Sequence, residues 1–313
     1  MKLLLATTHV DSHGMRMSIE ALEGAARQIN GDTVPSMGVE HDVTIPPLGK
    51  FSEAFIHKLP DGEYGLFAIP NFYIEEDSTV VKLPNGEIGR MDVWRDKRPF
   101  VGMHKDVPEE IIFSYDLVNF ESNTDSEKFS KTLKDHGPCK QQILVRKSLI
   151  PDPELIITLT KQGISTLIAY KFLNTFGKKV KEDLNNDLIN LYSKIRNAMI
   201  NYAKHCIPKN RPVTYLLVLP GVPSQEFVIK SLKPCVAIQA VSPEKISEAL
   251  SESELFTSNF DTQKIQFIFC DDKQQWKFNY LVTNSGEVIG SKDAVQNREK
   301  AIKLMMSQKG KKM

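Results

Sequence analysis

Little in this sequence is one-sided. The 40 basic and 39 acidic residues leave a formal net charge of +1, which argues against a partner held by charge alone, such as duplex DNA. Cysteine is scarce: Cys139, Cys206, Cys235 and Cys270 stand far apart and form no C-x-x-C pair. That excludes a disulfide framework and a paired-cysteine zinc site, and it suits reduced thiols in a cytoplasmic protein. The apolar run at Met1–Ala6 meets polar residues from Thr7, too early for a signal-peptide core. G-x-S-x-G, H-E-x-x-H and Walker patterns are missing, and Gly62, Gly65, Gly86, Gly89 and Gly102 are too scattered to cradle a phosphate. There is no internal repeat. The nearest thing to a membrane span, Leu155–Phe176, is interrupted by Lys161, Gln162 and Lys171. A lysine at the centre of a membrane helix costs about 2.5–3.5 kcal/mol, so no membrane partner is expected.

What is present suits a globular chain, with 41% apolar and 25% charged residues over 313 positions. The N-terminal third reads mainly as β structure. Met1–Thr8 predicts a first strand, and Ser18 caps a helix whose Ile19, Leu22, Ala25, Ala26 and Ile29 recur at helical spacing. An apolar run from Val34 predicts a strand ending at His41-Asp42, followed by the turn Pro46-Pro47-Leu48-Gly49. Strands are expected at Phe51–Leu59 and Tyr64–Ile69, and Leu83-Pro-Asn-Gly predicts a hairpin. Pro108–Phe120 and Gln141–Ile150 read as strands, with Glu121–Gly137 a loop or short helix between them.

Asp152-Pro153-Glu154 has the residues of a helix start, and helical character runs to His205 with a break near Gly177. Leu184, Leu188, Leu191, Ile195, Met199 and Tyr202 form one apolar stripe, a face for core packing or for a second copy of the chain. Beyond Arg211 the chain returns to α/β patterning. Strands are expected at Val213–Leu219, Gln225–Ser231, Lys264–Cys270 and Trp276–Thr283, with helices from Ser242 to Phe256 and from Asp293 to Met306.

Chemistry is sparse. His41 stands beside Asp42 at the end of a predicted strand, and a fixed imidazole can act as a general base at neutral pH. His9, Asp11 and His13 would share a face if extended, and with His41 or Glu40 they could ligate a divalent ion. Gly14 ends that strand, however, so a polar strand-to-loop transition is expected, with no metal and no cofactor. Asp271-Asp272 read as solvated turn carboxylates.

Asp11-Ser-His-Gly, Ala21-Leu22, Val34-Pro35, Glu40-His41-Asp42 and Pro47-Leu48-Gly49 follow one another in an order that resembles the opening of the phage prohead maturation proteases. Val145-Arg-Lys-Ser148-Leu-Ile-Pro-Asp-Pro153 is similar to that family's closing strand. The patterning beyond residue 155 gives a helical connector (156–207) and a small C-terminal α/β domain (208–313), so the whole is expected to be an α+β chain in three parts. The resemblance spans residues 1–155 and implies a partly closed β-barrel of prohead-protease type there. It further implies a serine endopeptidase, with His41 as base, Ser114 in Ile-Ile-Phe-Ser-Tyr-Asp as nucleophile, and Asp116 or Asp42 orienting the imidazole. The family places an acid in the closing strand, where this chain has Arg146-Lys147-Ser148. That departure sets a second expectation beside the first: a protease-like barrel that no longer cleaves and serves as a binding, assembly or sensor module for a protein partner. A metal-dependent hydrolase using His9, Asp11 and His13 is the third.

Overall fold

The computed structural model describes residues 2–10, 16–39, 41–74, 78–93, 96–102, 104–144, 152–172 and 178–309. The fold is mixed α+β and divides into two compact units, Met1–Gly102 with Val282–Met313, and Met103–Leu281.

In the first unit, β1 (Leu3–Thr7), β2 (Gly49–Lys58) and β3 (Tyr64–Phe72) form an antiparallel sheet in the order β1-β3-β2. Helix α1 (Ile19–Asn30) begins where expected: Ser18 accepts a hydrogen bond from Ala21 N, and the buried Leu22 and Ile29 face the protein interior. Gly49 opens β2 because nothing larger fits; a Cβ there would lie 1.9 Å from the Asn71 carbonyl oxygen. The Leu83–Glu87 hairpin joins β4 (Ser78–Lys82) to β5 (Ile88–Asp92), with Gly86 at φ 86°. Strand β13 (Val288–Ser291), which the sequence pattern does not announce, pairs antiparallel with β5. It leads into α7 (Lys292–Lys309).

Two buried cations tie this unit together. Arg298 of α7 makes a bidentate pair with Asp92, Nη2 to Oδ1 at 3.0 Å, and its guanidinium lies over the Tyr73 ring. Lys50, 1% exposed, donates to the carbonyls of Asp96 (2.9 Å) and Arg98 (2.6 Å). Burial pushes its ammonium down to about 8, against the pull of Asp96. Between that value and the ordinary lysine pKa the unfolded chain holds more protons than the folded one, so stability should rise with pH there. Relative to Lys50→Met, the parent should gain up to about 3 kcal/mol between pH 8 and 10.5. Urea unfolding across that range checks this; parallel pH profiles for the two proteins would refute it.

The second unit is a seven-strand run in the order β12-β11-β10-β9-β8-β6-β7. The strands are β6 (Ile112–Asp116), β7 (Lys140–Leu144), β8 (Glu154–Thr158), β9 (Val213–Leu219), β10 (Ser224–Ser231), β11 (Thr262–Cys270) and β12 (Gln275–Thr283). Three helical crossovers connect parallel neighbours: α2 (Asn123–Asp135) between β6 and β7, α3 (Lys161–Lys171) and α4 (Lys178–His205) between β8 and β9, and α5 (Pro234–Ala240) with α6 (Pro243–Asn259) between β10 and β11. Antiparallel contacts join β6 to β8 and β9 to β10. Tyr115 packs edge to face on Phe120 and Phe129, as does Phe129 on Tyr202; Phe227 stacks on Phe267 and Phe256 on Phe278, with Phe256 edge-on to Phe267.

Several expectations need correction. The strands expected to close one barrel over 1–155 are divided between the two units, and no closed barrel forms among the described residues. Residue 155 is no boundary, because it lies within β8, which pairs with β6 on one side and β9 on the other. Asp152-Pro153-Glu154 starts a strand instead of a helix; Ile156, Ile157 and Thr158 are β-branched and, with Leu155, almost wholly buried in the sheet, which outweighs the capping residues. Of the α4 stripe, Leu188, Ile195, Met199 and Tyr202 are buried and Leu184 and Leu191 half-buried, so most of it packs within its own unit. No helix among the described residues is long and apolar enough to cross a membrane.

Candidate functional site

The expected catalytic residues fall in different settings. His41 lies in the first unit, in a turn and not at a strand end, exposed and with φ 59°. Asp42 closes that turn on itself: its Oδ1 accepts from Thr44 N (2.9 Å) and Thr44 Oγ1 (2.6 Å). Ser114 lies in the second unit, at the centre of β6. It is 4% exposed, and its hydroxyl donates to Gln142 Oε1 of β7 at 3.3 Å. Asp116 shares the Ser114 face by strand alternation but is engaged elsewhere, accepting from Val118 N (3.1 Å) as the cap of a short 3-10 turn at Leu117–Asn119. Its Oδ2 is buried without a hydrogen bond among the described residues. The segment Arg146–Ser148 lies outside the described residues.

The alternative metal set is not assembled either. His9 pairs with Asp61 at 2.6 Å, while Asp11, His13 and Glu40 lie outside the described residues. Among the described residues no three His, Cys, Asp or Glu side chains come together to hold a metal ion.

The sheet of the second unit carries a cluster that the sequence reading passed over. The β10–β11 register sets Ser224 opposite Lys264 and Glu226 opposite Gln266, all on one face. Glu226, 3% exposed, accepts from Lys264 Nζ at 3.2 Å and from Gln266 Nε2 at 2.8 Å. Lys264 also donates to the Tyr280 hydroxyl at 2.9 Å, and Asn279 Nδ2 donates to Gln266 Oε1 at 2.7 Å. Burial works against the charge on Lys264, but the Glu226 carboxylate and the Tyr280 hydroxyl outweigh it and hold its pKa above the ordinary lysine value. His104 adds an imidazole that senses both charges. Burial lowers its pKa, Glu226 opposes that shift and Lys264 reinforces it. Its backbone is held at φ 58°, and its carbonyl accepts from Gly221 N at 3.0 Å.

This arrangement carries no activated group. An ammonium kept protonated is neither a nucleophile nor a base, so it cannot activate the neighbouring Ser224 hydroxyl. Ser224 Oγ, in a residue 1% exposed, makes no hydrogen bond among the described residues. The donors and acceptors of Glu226, Lys264, Gln266, Asn279 and Tyr280 are bonded to one another under cover, so each contact holds its neighbours in place. A signal for it exists in the sequence: Ser-Gln-Glu226-Phe-Val and Lys264-Ile-Gln266-Phe place polar residues at alternate positions inside strands that are otherwise apolar.

Comparisons with protein-family models, with curated proteins and with solved structures find no match.

Proposed function

We propose that this chain is a non-cleaving binding and assembly module, carried by a protease-like N-terminal segment, that acts on a protein partner in the cytoplasm. The observation that carries this reading is the position of Ser114, whose hydroxyl is buried at mid-strand and donates to a carboxamide. A serine hydroxyl is a poor nucleophile until an imidazole takes its proton, and the Gln142 amide oxygen is no such base. The uses made of Asp42 and Asp116, each capping its own turn, also favour this reading. The protease-like reading of the N-terminal segment rests on the order of short motifs over residues 1–155.

Self-cleavage distinguishes the readings. Concentrated protein incubated for days should remain a single band, and Ser114→Ala and His41→Ala should look the same. Fragments that appear in the parent and vanish in both variants would restore the endopeptidase reading, with similar losses because such a pair acts as a unit.

A further inference from the structure

The two faces of the β1-β3-β2 sheet differ in what covers them. On one, Ala54, Leu66 and Ala68 are buried beneath α1, whose Asn30 carboxamide bonds the backbone N and O of Ala54 at 2.8 Å each. The opposite face is open to solvent, yet its centre is apolar. The register sets Leu4, Phe67 and Phe55 side by side across the three strands, with Leu4 52% exposed and both rings half-buried. The rings lie parallel with centroids 6.0 Å apart, and Lys2, just before β1, holds its ammonium 4.5 Å over Phe55. Half-buried Ile69 continues the patch along β3. Gly65 keeps it flat, since a Cβ there would stand 3.0 Å from Leu4 Cδ1 and from Phe67 Cε2. The charges keep to the edges: Lys2 lies on the β1 side and Glu53, opposite Ile69, on the β2 side, both exposed.

A face with opposite charges on its two edges and an apolar centre is its own complement. We propose that it is the contact between two copies of this chain, related by a two-fold axis parallel to β3. Such an axis lays the β1 side of one sheet over the β2 side of the other. Lys2 of each copy then meets Glu53 of the other, Leu4 covers the opposite Phe55 ring, and Phe67 packs on its own mate. Self-complementarity of this kind selects a second copy over an unrelated protein. Three strands about 4.8 Å apart offer less than the roughly 800 Å² per partner of a standard interface, so the association is weak and reversible. It is independent of whether Ser114 is reactive.

Sedimentation equilibrium of the full chain, loaded from roughly 5 to 500 µM, tests it. The apparent mass should climb from monomer towards dimer across that range. Lys2→Glu and Glu53→Lys should each weaken association about fivefold or more, because each sets like charges together at both ends of the contact. Mixed in equal amounts, the two variants should associate within about twofold of the parent, since opposite charges meet again. Leu4→Asp should stay monomeric at every loading. A monomeric parent, single reversals or Leu4→Asp that associate as the parent does, or a mixture no tighter than its components would overturn the assignment.

Discussion

Replacing Asp92 with alanine is expected to cost the fold about 3–5 kcal/mol, because it strands a guanidinium in the core. Asp92 is 0% and Arg298 2% exposed, so water cannot take the place of the lost carboxylate. The intact pair is no large source of stability by itself. Burial raises the Asp92 pKa even with Arg298 beside it, and Arg298 Nε is buried without a hydrogen bond among the described residues. A double variant, Asp92→Leu with Arg298→Met, should therefore recover most of what the single change loses. Urea unfolding with an unchanged m-value checks both statements. A loss below about 1 kcal/mol in Asp92→Ala would mean that the Arg298 guanidinium reaches solvent and that α7 is not pinned as described.

Removal of Glu226 should be almost as severe, again about 3–5 kcal/mol for Glu226→Leu. This change leaves the Lys264 ammonium with the Tyr280 hydroxyl and frees a donor of Gln266 in the sheet interior. Lys264→Met should also destabilise, and the double variant should lose much less than the sum, since both changes remove one contact. The pH dependence follows from the raised pKa of Lys264. Its contribution is complete below the ordinary lysine value and is lost only as pH climbs through the higher folded one. The cost of Glu226→Leu should thus be flat from about pH 6 to 9. Additive single losses would show that the two groups do not interact in the folded protein.

The elements legible in the sequence are those whose local signals agree with their surroundings. Helix α1 has its serine cap, its amphipathic spacing and a solvent face, and α6 starts at Ser242-Pro243 as the capping residues predict. Strands β9 and β10 are apolar runs bounded by proline and glycine, and they sit where they were expected. Legibility failed where tertiary burial overrode local chemistry. The capping signal at Asp152-Pro153 gave way to β8, sandwiched between two partner strands, and the polar stretch after Glu121 forms a full helix around buried Phe129 and Leu133. His41 follows a short apolar run, yet that run makes only an isolated bridge, Val34 to Phe100, and the histidine falls in a turn. The Glu226–Lys264 cluster escaped notice for a related reason. Charged residues in strands suggest a solvated face, and only the register shows that Glu226 and Lys264 come together across neighbouring strands under cover.

The central claim is that Ser114 is a structural hydroxyl and not a nucleophile. Intact-mass analysis after prolonged exposure to a fluorophosphonate tests it directly. The parent should show no adduct, as should Ser114→Ala. One adduct per chain, mapped to Ser114 and absent from both Ser114→Ala and His41→Ala, would contradict it.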